Sequence, residues 1–394
     1  MFSASFRPRL ARTSAAAAIR SLVAAPSRSE CFTSPLRVAV GLLALVAVAP
    51  TPVFAAGGTV FGGVHFPDGA ASFADAVLTV TPSATCLPGS PNFLDPVEAL
   101  GPPDYSGGQG GTGAVSLGEG GVLEVSFLDN RLTNSGDLLP DLHVFEVGPQ
   151  VERTFVAIRP ADAATLALVT GFVPDADGDG FFELGVLEGS TSSLDIDGLL
   201  PPAPAGLLRF DAVQLRDDPN DSSPCGGATG ADIDAVGALA SELSQYPGTA
   251  DDLFLETGVG GALATGGPGE DIKVATAGTL FEARVSSPGG TFHGAPILIM
   301  AQLFATGGPA PVFAADPAVH LAFDVQPAPV ILFDGGVMTP FGPTGGLAPS
   351  GTALAWYLPA FLADASIMVQ AFAISPAASN GGYAATDGHE IVLP

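Results

Sequence analysis

The chain has 394 residues, with 40 Asp and Glu against 13 Lys and Arg, a formal net charge of −27. So acidic a balance argues against binding to nucleic acid or to anionic membrane surfaces, which recruit basic patches. Disorder is excluded too, because hydrophobic residues make up 47% of the chain and charged ones only 13%, enough apolar material for sizeable cores.

Residues 1–37 carry six arginines and one acid, Glu30; the uncharged apolar run VAVGLLALVAVA follows at 38–49, then TPVFAAGG, with small residues at cleavage spacing near Ala55. This is the pattern of a secretory signal peptide over 1–55 with a long basic region. The apolar run is shorter than the roughly 20 residues of a membrane-spanning helix. The expectation is an exported chain, extracellular or at the cell surface, with no transmembrane segment in its mature part. Removing 1–55 leaves seven basic and 39 acidic residues, a net charge of −32. Cys31 leaves with the signal. The remaining pair, Cys86 and Cys225, is expected to form one disulfide, as an even pair in an oxidising compartment does.

Beyond the signal, Gly and Pro punctuate short runs rich in Val, Ile, Leu and Phe. In the first half these are AVLTVTP (76–82), VLEVSF (122–127), DLHVFEV (141–147), TFVAIRP (154–160), TLALVTG (165–171), FFELGVL (181–187), FDAVQLR (210–216) and ADIDAVGAL (231–239). In the second they are GTLFEARVS (278–286), PILIMAQLFA (296–305), VHLAFDV (319–325), PVILFDG (329–335), ALAWYLP (353–359), SIMVQAFAI (366–374) and EIVLP (390–394). Short strands separated by turn signals predict an all-β fold of sandwich or barrel type. Only two short helices are expected, at ASELSQYP (240–247) and AFLAD (360–364). The length suggests two domains, a first over 58–245, closed by its own disulfide, and a second over 250–394, with the boundary in SELSQYPGTADDLF (241–254).

The acidic residues are clustered. VPDADGDGFFE (173–183) sets Asp175, Asp177 and Asp179 at alternate positions ahead of Gly180. These match positions 1, 3, 5 and 6 of an EF-hand loop, and Glu183 matches position 9, but position 12, which requires a bidentate glutamate, is Val186. The flanks ALVTGFVP and FFELGVL also read as strands, so an EF-hand is excluded. What remains is a DxDxDG turn whose carboxylates can converge on one calcium ion, or a solvated hairpin tip in which Asp-Gly is favoured on turn grounds alone. In GADIDAVGAL (230–239), a strand would place Asp232 and Asp234 on one face, where like charges repel unless a cation sits between them. LDIDG (194–198) repeats the spacing in what reads as a loop.

ALGPPDYSG (99–107), SLGEGGVLEVSFLDNRLTNSGDLLPDLHVFEVGP (116–149), VAIRPADAATLALV (156–169) and GADIDAVGAL, in that order, resemble a group of bacterial exported cell-surface proteins. Their pattern is ALG-x-PD, SLG-x-GG, DL-x-VFE-x-G and a closing DIDAVGAL. The resemblance spans most of the first domain. It implies a jelly-roll sandwich of the galactose-binding type, with structural calcium and a role in surface attachment or contact with extracellular polysaccharide or cell-surface components. In such folds the first and last strands share a calcium site, which here would draw Asp104 or Glu98 together with Asp232 and Asp234. The group carries an aromatic after the strand near 156–169, where this chain is aliphatic. The second half resembles C-terminal β-modules of exported bacterial proteins, which carry no defined activity.

No catalytic arrangement stands out. GxSxG, HExxH and CxxC are absent from the sequence, and the GxGxxG match at 108–113 follows no strand and opens no helix. His143 shares a predicted strand face with Phe145 and Val147 and reads as a satisfied, half-buried histidine. Trp356-Tyr357 reads as core, and Tyr105 as the more exposed aromatic. The expectation is a non-catalytic exported structural or adhesive protein stabilised by calcium. A calcium-dependent carbohydrate-binding module is the first alternative, and a hydrolase with an unidentified acid pair the second.

Overall fold

The structure is a computed structural model that describes residues 58–394 apart from 84–85, 87–89, 107–111, 149–150, 199–202, 221–224, 226–228, 336–337, 340–341 and 344–345. The signal segment over 1–55 and the glycine run 107–111 lie outside the described residues. Among those residues the chain is built of strands from Thr59 to Leu393, with one short α-helix. Residues 55–394 form one compact unit holding two main hydrophobic cores, one drawn from residues 74–238 and the other from 253–393.

The first core lies between two sheets. The larger sheet orders Ser241–Leu243, Asn130–Thr133, Arg209–Asp217, Val122–Ser126 and Ala76–Thr81, and Val151–Pro160 also pairs with Arg209–Asp217 and carries Phe182–Gly189 on its far side. The smaller orders Ser193–Leu194, Leu142–Glu146, Asp232–Ala238 and Val115–Ser116. Side chains alternate faces along a strand, so Leu123, Val125, Val213 and Leu215 of one sheet and Leu142, Val144 and Val236 of the other turn inward together, each no more than 1% exposed. Cys86 and Cys225 are bridged, with Cα atoms 5.5 Å apart across 139 residues. In the chain-entropy model a loop of that length stabilises the fold by roughly 4–5 kcal/mol.

The second core lies between Phe254–Val259, Leu280–Ser286 and Thr352–Tyr357 on one side, and Ile272–Val274, His389–Leu393, Ala365–Ile374, Ile297–Ala305 and Val330–Asp334 on the other. Trp356 is half-buried and packs on Phe281 at the edge of this core, with ring centroids 4.4 Å apart, whereas Tyr357, also expected in the core, points outward and is 72% exposed.

Four segments differ from the sequence expectation. TLALVTG is not a strand: Ala163–Val169 is an α-helix. Asp162 caps it, accepting from Thr165 N at 2.7 Å, and Thr165 and Val169, four residues apart, are its buried positions. A two-turn helix with Leu and Val at mixed spacing looks like alternation in so short a window. ASELSQYP supplies the strand Ser241–Leu243 rather than a helix, and AFLAD only a 3₁₀ turn, Ala360–Leu362. VHLAFDV forms no strand, although Val319 to Ala322 are buried. Two buried glutamines take the place of a ladder there. Gln302 donates to Ala322 O (2.9 Å) and accepts from Ala322 N (2.7 Å). Gln370 donates to Ala318 O (2.7 Å) and Thr386 O (2.8 Å) and accepts from His320 N (2.8 Å). An amide side chain offers the same donor and acceptor as a backbone, so the segment stays satisfied without strand pairing. Gln370→Met keeps the volume but strands two buried backbone groups and a half-buried one, and is expected to lower stability by about 3 kcal/mol, measured by chemical denaturation against wild type.

The cores meet across a polar junction. Ser244 N donates to Asp129 O (3.0 Å), while Ser244 Oγ and Gln245 N donate to Asp271 Oδ2 (3.1 and 2.6 Å). Tyr246 Oη donates to Glu390 Oε2 (2.5 Å), His320 Nε2 to Pro247 O (2.9 Å) and Gly248 N to Asp387 Oδ1 (2.9 Å). Arg131 crosses the junction to Gly266 O (3.1 Å). Burial pushes Asp75 and Asp387 up to about 7 and Asp129 well above the usual carboxylate range; their mutual repulsion adds to it and the Arg131 charge opposes it. In the fold these groups keep protons that the unfolded chain loses near its ordinary 3.8. The stability this confers is complete below about pH 4 and is lost as pH rises towards about 7, at up to ~1.4 kcal/mol per pH unit per group. Thermal unfolding in chelator is expected to show a melting temperature that falls from pH 5 to pH 7, with a shallower fall in Asp387→Asn.

Candidate metal centre

Two sets of acidic side chains among the described residues place one oxygen each within 4.8 Å of one another: Asp175, Asp177 and Asp179, and Asp141, Asp195 and Asp197. The first is the DxDxDG loop. It leaves the helix Ala163–Val169 and enters the strand Phe182–Gly189, so one flank is helical where a strand was expected, and the other is a strand. The second helix of an EF-hand is missing, and the exclusion stands.

Local chemistry winds this loop. Asp175 Oδ1 accepts from Gly178 N (2.8 Å) and its Oδ2 from Gly180 N (3.3 Å). Asp179 accepts from Phe181 N (2.8 Å) and from Gln214 Nε2 (2.7 Å). Glu183 Oε1 accepts from Ala176 N (3.1 Å), and Glu183 N donates to Pro174 O (3.0 Å), closing the turn. Gly178 and Gly180 have φ of +78° and +91°, a region that favours glycine. Asp177 accepts no hydrogen bond among the described residues, and Glu183 Oε2 is buried without one. Carboxylate oxygens held together on a wound turn are hard donors of the kind calcium takes. Beside the loop lies a groove of about 170 Å³ bordered by Phe155, Asp177, Glu183, Gln214 and Arg216. Phe155 is covered by the guanidinium groups of Arg153 and Arg216, 5.6 and 5.2 Å from its centroid. Phe172, just ahead of the loop, is 65% exposed.

The Asp232 and Asp234 carboxylates meet different neighbours. The ladder between Asp232–Ala238 and Leu142–Glu146 shifts register between Ile233 and Ala235, and such a bulge breaks strict alternation. Asp232 accepts from Ser116 Oγ; burial raises its pKa and Asp217 adds to the rise. Asp234 Oδ1 instead accepts from Asp104 N (3.0 Å) and Tyr105 N (3.2 Å). Burial raises its pKa too, with smaller contributions from Asp104 and Glu98. The ALGPPD segment thus does lie against the closing strand, joined to it by backbone amides on Asp234. Tyr105 is half-buried and tilted on Phe93 at 6.5 Å.

The Asp141 set was not foreseen. Asp141 is fully buried; its two oxygens accept from Ser135 N and Ile196 N, both at 2.8 Å. Asp197 accepts from Asn134 Nδ2 (2.9 Å) and Gly136 N (2.6 Å). These bonds staple the loop 134–141 to the loop 194–198 and account for the cluster by themselves. The LDIDG spacing was the visible half of it; Asp141 at the start of an apolar run carried no signal. Asp217 works in the same way, accepting from Gly120 N (3.0 Å) and Ala231 N (2.8 Å).

Two histidines are held by packing and hydroxyl contacts. His143 Nδ1 lies 2.6 Å from Ser193 Oγ, its ring packs on Phe145 at 4.4 Å, and burial lowers its pKa to about 4. His389 Nδ1 lies 2.7 Å from Thr257 Oγ1 within the second core. No helix among the described residues is long and apolar enough to cross a membrane. No protein-family model matches the chain, and no curated protein matches it.

Asp234→Ala leaves two backbone N–H groups without their acceptor. It is expected to cost about 1–3 kcal/mol, with the same loss of melting temperature in calcium and in chelator.

Proposed function

We propose that this chain is a non-catalytic exported protein of the cell surface or extracellular matrix, a jelly-roll-like β-sandwich joined to a second sandwich and stiffened by one disulfide and by calcium. The observation that carries the reading is the convergence of Asp175, Asp177 and Asp179 within 4.8 Å on a loop of the same lobe that the Cys86–Cys225 bridge ties. Long-loop disulfides and oxygen-only calcium loops are both devices for proteins that work in oxidising, calcium-rich surroundings. Asp177 is the informative residue, because it caps no backbone group and its removal leaves the wound turn intact. The signal-like N-terminus and the resemblance of the first lobe to exported surface domains support the same reading.

Calcium that binds only the folded state raises its stability by about 2.7 kcal/mol at a hundredfold excess over Kd. Thermal unfolding with excess calcium chloride is expected to occur several degrees above that in chelator, and Asp177→Asn is expected to shrink the difference without lowering the melting temperature in chelator. An undiminished difference in Asp177→Asn would mean that the loop holds no calcium.

The groove beside the loop, with Phe155, Gln214 and Arg216 at its border and Phe172 exposed nearby, favours carbohydrate contact as the second reading. Calcium-dependent retention on an insoluble polysaccharide, lost in Phe172→Ala, is its test.

A further inference from the structure

The junction between the two lobes contains carboxylates that the loop chemistry does not explain. Asp129 comes from the first lobe, just before the strand Asn130–Thr133, and Asp387 from the second, just before His389–Leu393. They are 5% and 8% exposed. Asp129 Oδ1 and Asp387 Oδ2 are buried and accept no hydrogen bond. Each carboxylate lies within electrostatic reach of the other and of Asp75, whose own Oδ2 accepts from Leu128 N at 2.7 Å.

The surrounding groups do not neutralise them. Arg131, the nearest cation, spends its guanidinium on the carbonyls of Phe127 (2.8 Å), Asn130 (3.2 Å) and Gly266 (3.1 Å). It makes no ion pair within 4.0 Å among the described residues. The Ser244 hydroxyl is shared, donating to Asp271 Oδ2 at 3.1 Å while also acting to lower the Asp387 pKa. Oxygens left unpaired in a buried, like-charged set are strongly unfavourable unless a counter-charge sits among them. Here Arg131 supplies one positive charge against three carboxylates, which leaves the set short of neutral.

We infer that Asp129 and Asp387, with Asp75 behind them, hold a divalent cation that ties the two lobes together. The donors are carboxylate oxygens, the set that suits calcium. They do not close within 4.8 Å as the Asp175 triad does, which fits an ion that keeps water in its shell. The choice of calcium as the ion rests on the reading given under Proposed function; the site itself does not. Its role is to lock the mutual orientation of the lobes, a role distinct from winding one surface loop.

The test is thermal unfolding of the mature chain at pH 8, in calcium chloride and in chelator, for wild type, Asp177→Asn, Asp129→Asn with Asp387→Asn, and all three changes together. Asn keeps the shape and removes the charge, so the junction variant is expected to unfold in chelator at or above the wild-type temperature and to gain less from calcium than wild type gains. The triple variant is expected to gain nothing. If the junction variant keeps the full wild-type gain, the site is overturned and protons alone neutralise the junction. If Asp177→Asn by itself abolishes the gain, the junction site falls while the loop reading stands; if wild type gains nothing, both fall. Should the junction variant not fold, titration calorimetry of Asp177→Asn with calcium decides: one ion bound supports the junction site and none overturns it.

Discussion

This fold depends on aspartate side chains accepting hydrogen bonds from backbone amides. A β-sandwich with long glycine- and proline-rich connections leaves many loop N–H groups with no ladder partner, and buried ones must be satisfied. Here carboxylates do it repeatedly. Asp141 joins the loops 134–141 and 194–198, Asp217 joins Gly120 to Ala231, and Asp234 holds Asp104 and Tyr105. Asp252 takes Gly289 and Thr291 in the second lobe. The acidity of the chain is thus in large part structural: a charged acceptor makes a stronger bond to N–H than a neutral one does, and these bonds need no basic partner.

That solution works where both oxygens of a carboxylate find donors. It leaves a remainder where they do not, and part of that remainder lies at the lobe junction, at Asp129 and Asp387. The same junction is otherwise densely bonded, through Ser244, Gln245, Tyr246 and His320. Relative motion of the two cores would break these bonds together, which makes the charge state of the junction a determinant of how rigidly the molecule holds its shape.

Amide side chains extend the principle. Gln302 and Gln370 stand in strands of the second lobe and treat the segment 318–322 as an extra strand would. Both donor and acceptor are used, so the segment can stay buried while remaining irregular. In this it differs from the helix Ala163–Val169, whose backbone is satisfied internally and whose start depends on one cap, Asp162.

Much of this was legible in the sequence. Alternating apolar runs between Gly and Pro located most strands, because a half-buried strand imposes period two on its own residues. The lone pair of cysteines predicted their bridge. The DxDxDG spacing located the loop, because all its donors lie within nine residues. TLALVTG misled because seven residues are too few to separate period two from period 3.6, and VHLAFDV because a buried apolar run says nothing about what bonds its backbone. What only the tertiary structure decided was long-range: the bulge that sends Asp232 and Asp234 to different neighbours, the partnership of Asp141 with Asp195 and Asp197, and the meeting of Asp129 with Asp387. Each depends on residues far apart in the chain, and a lone aspartate at a strand end reads the same whether it faces water, an amide or another carboxylate.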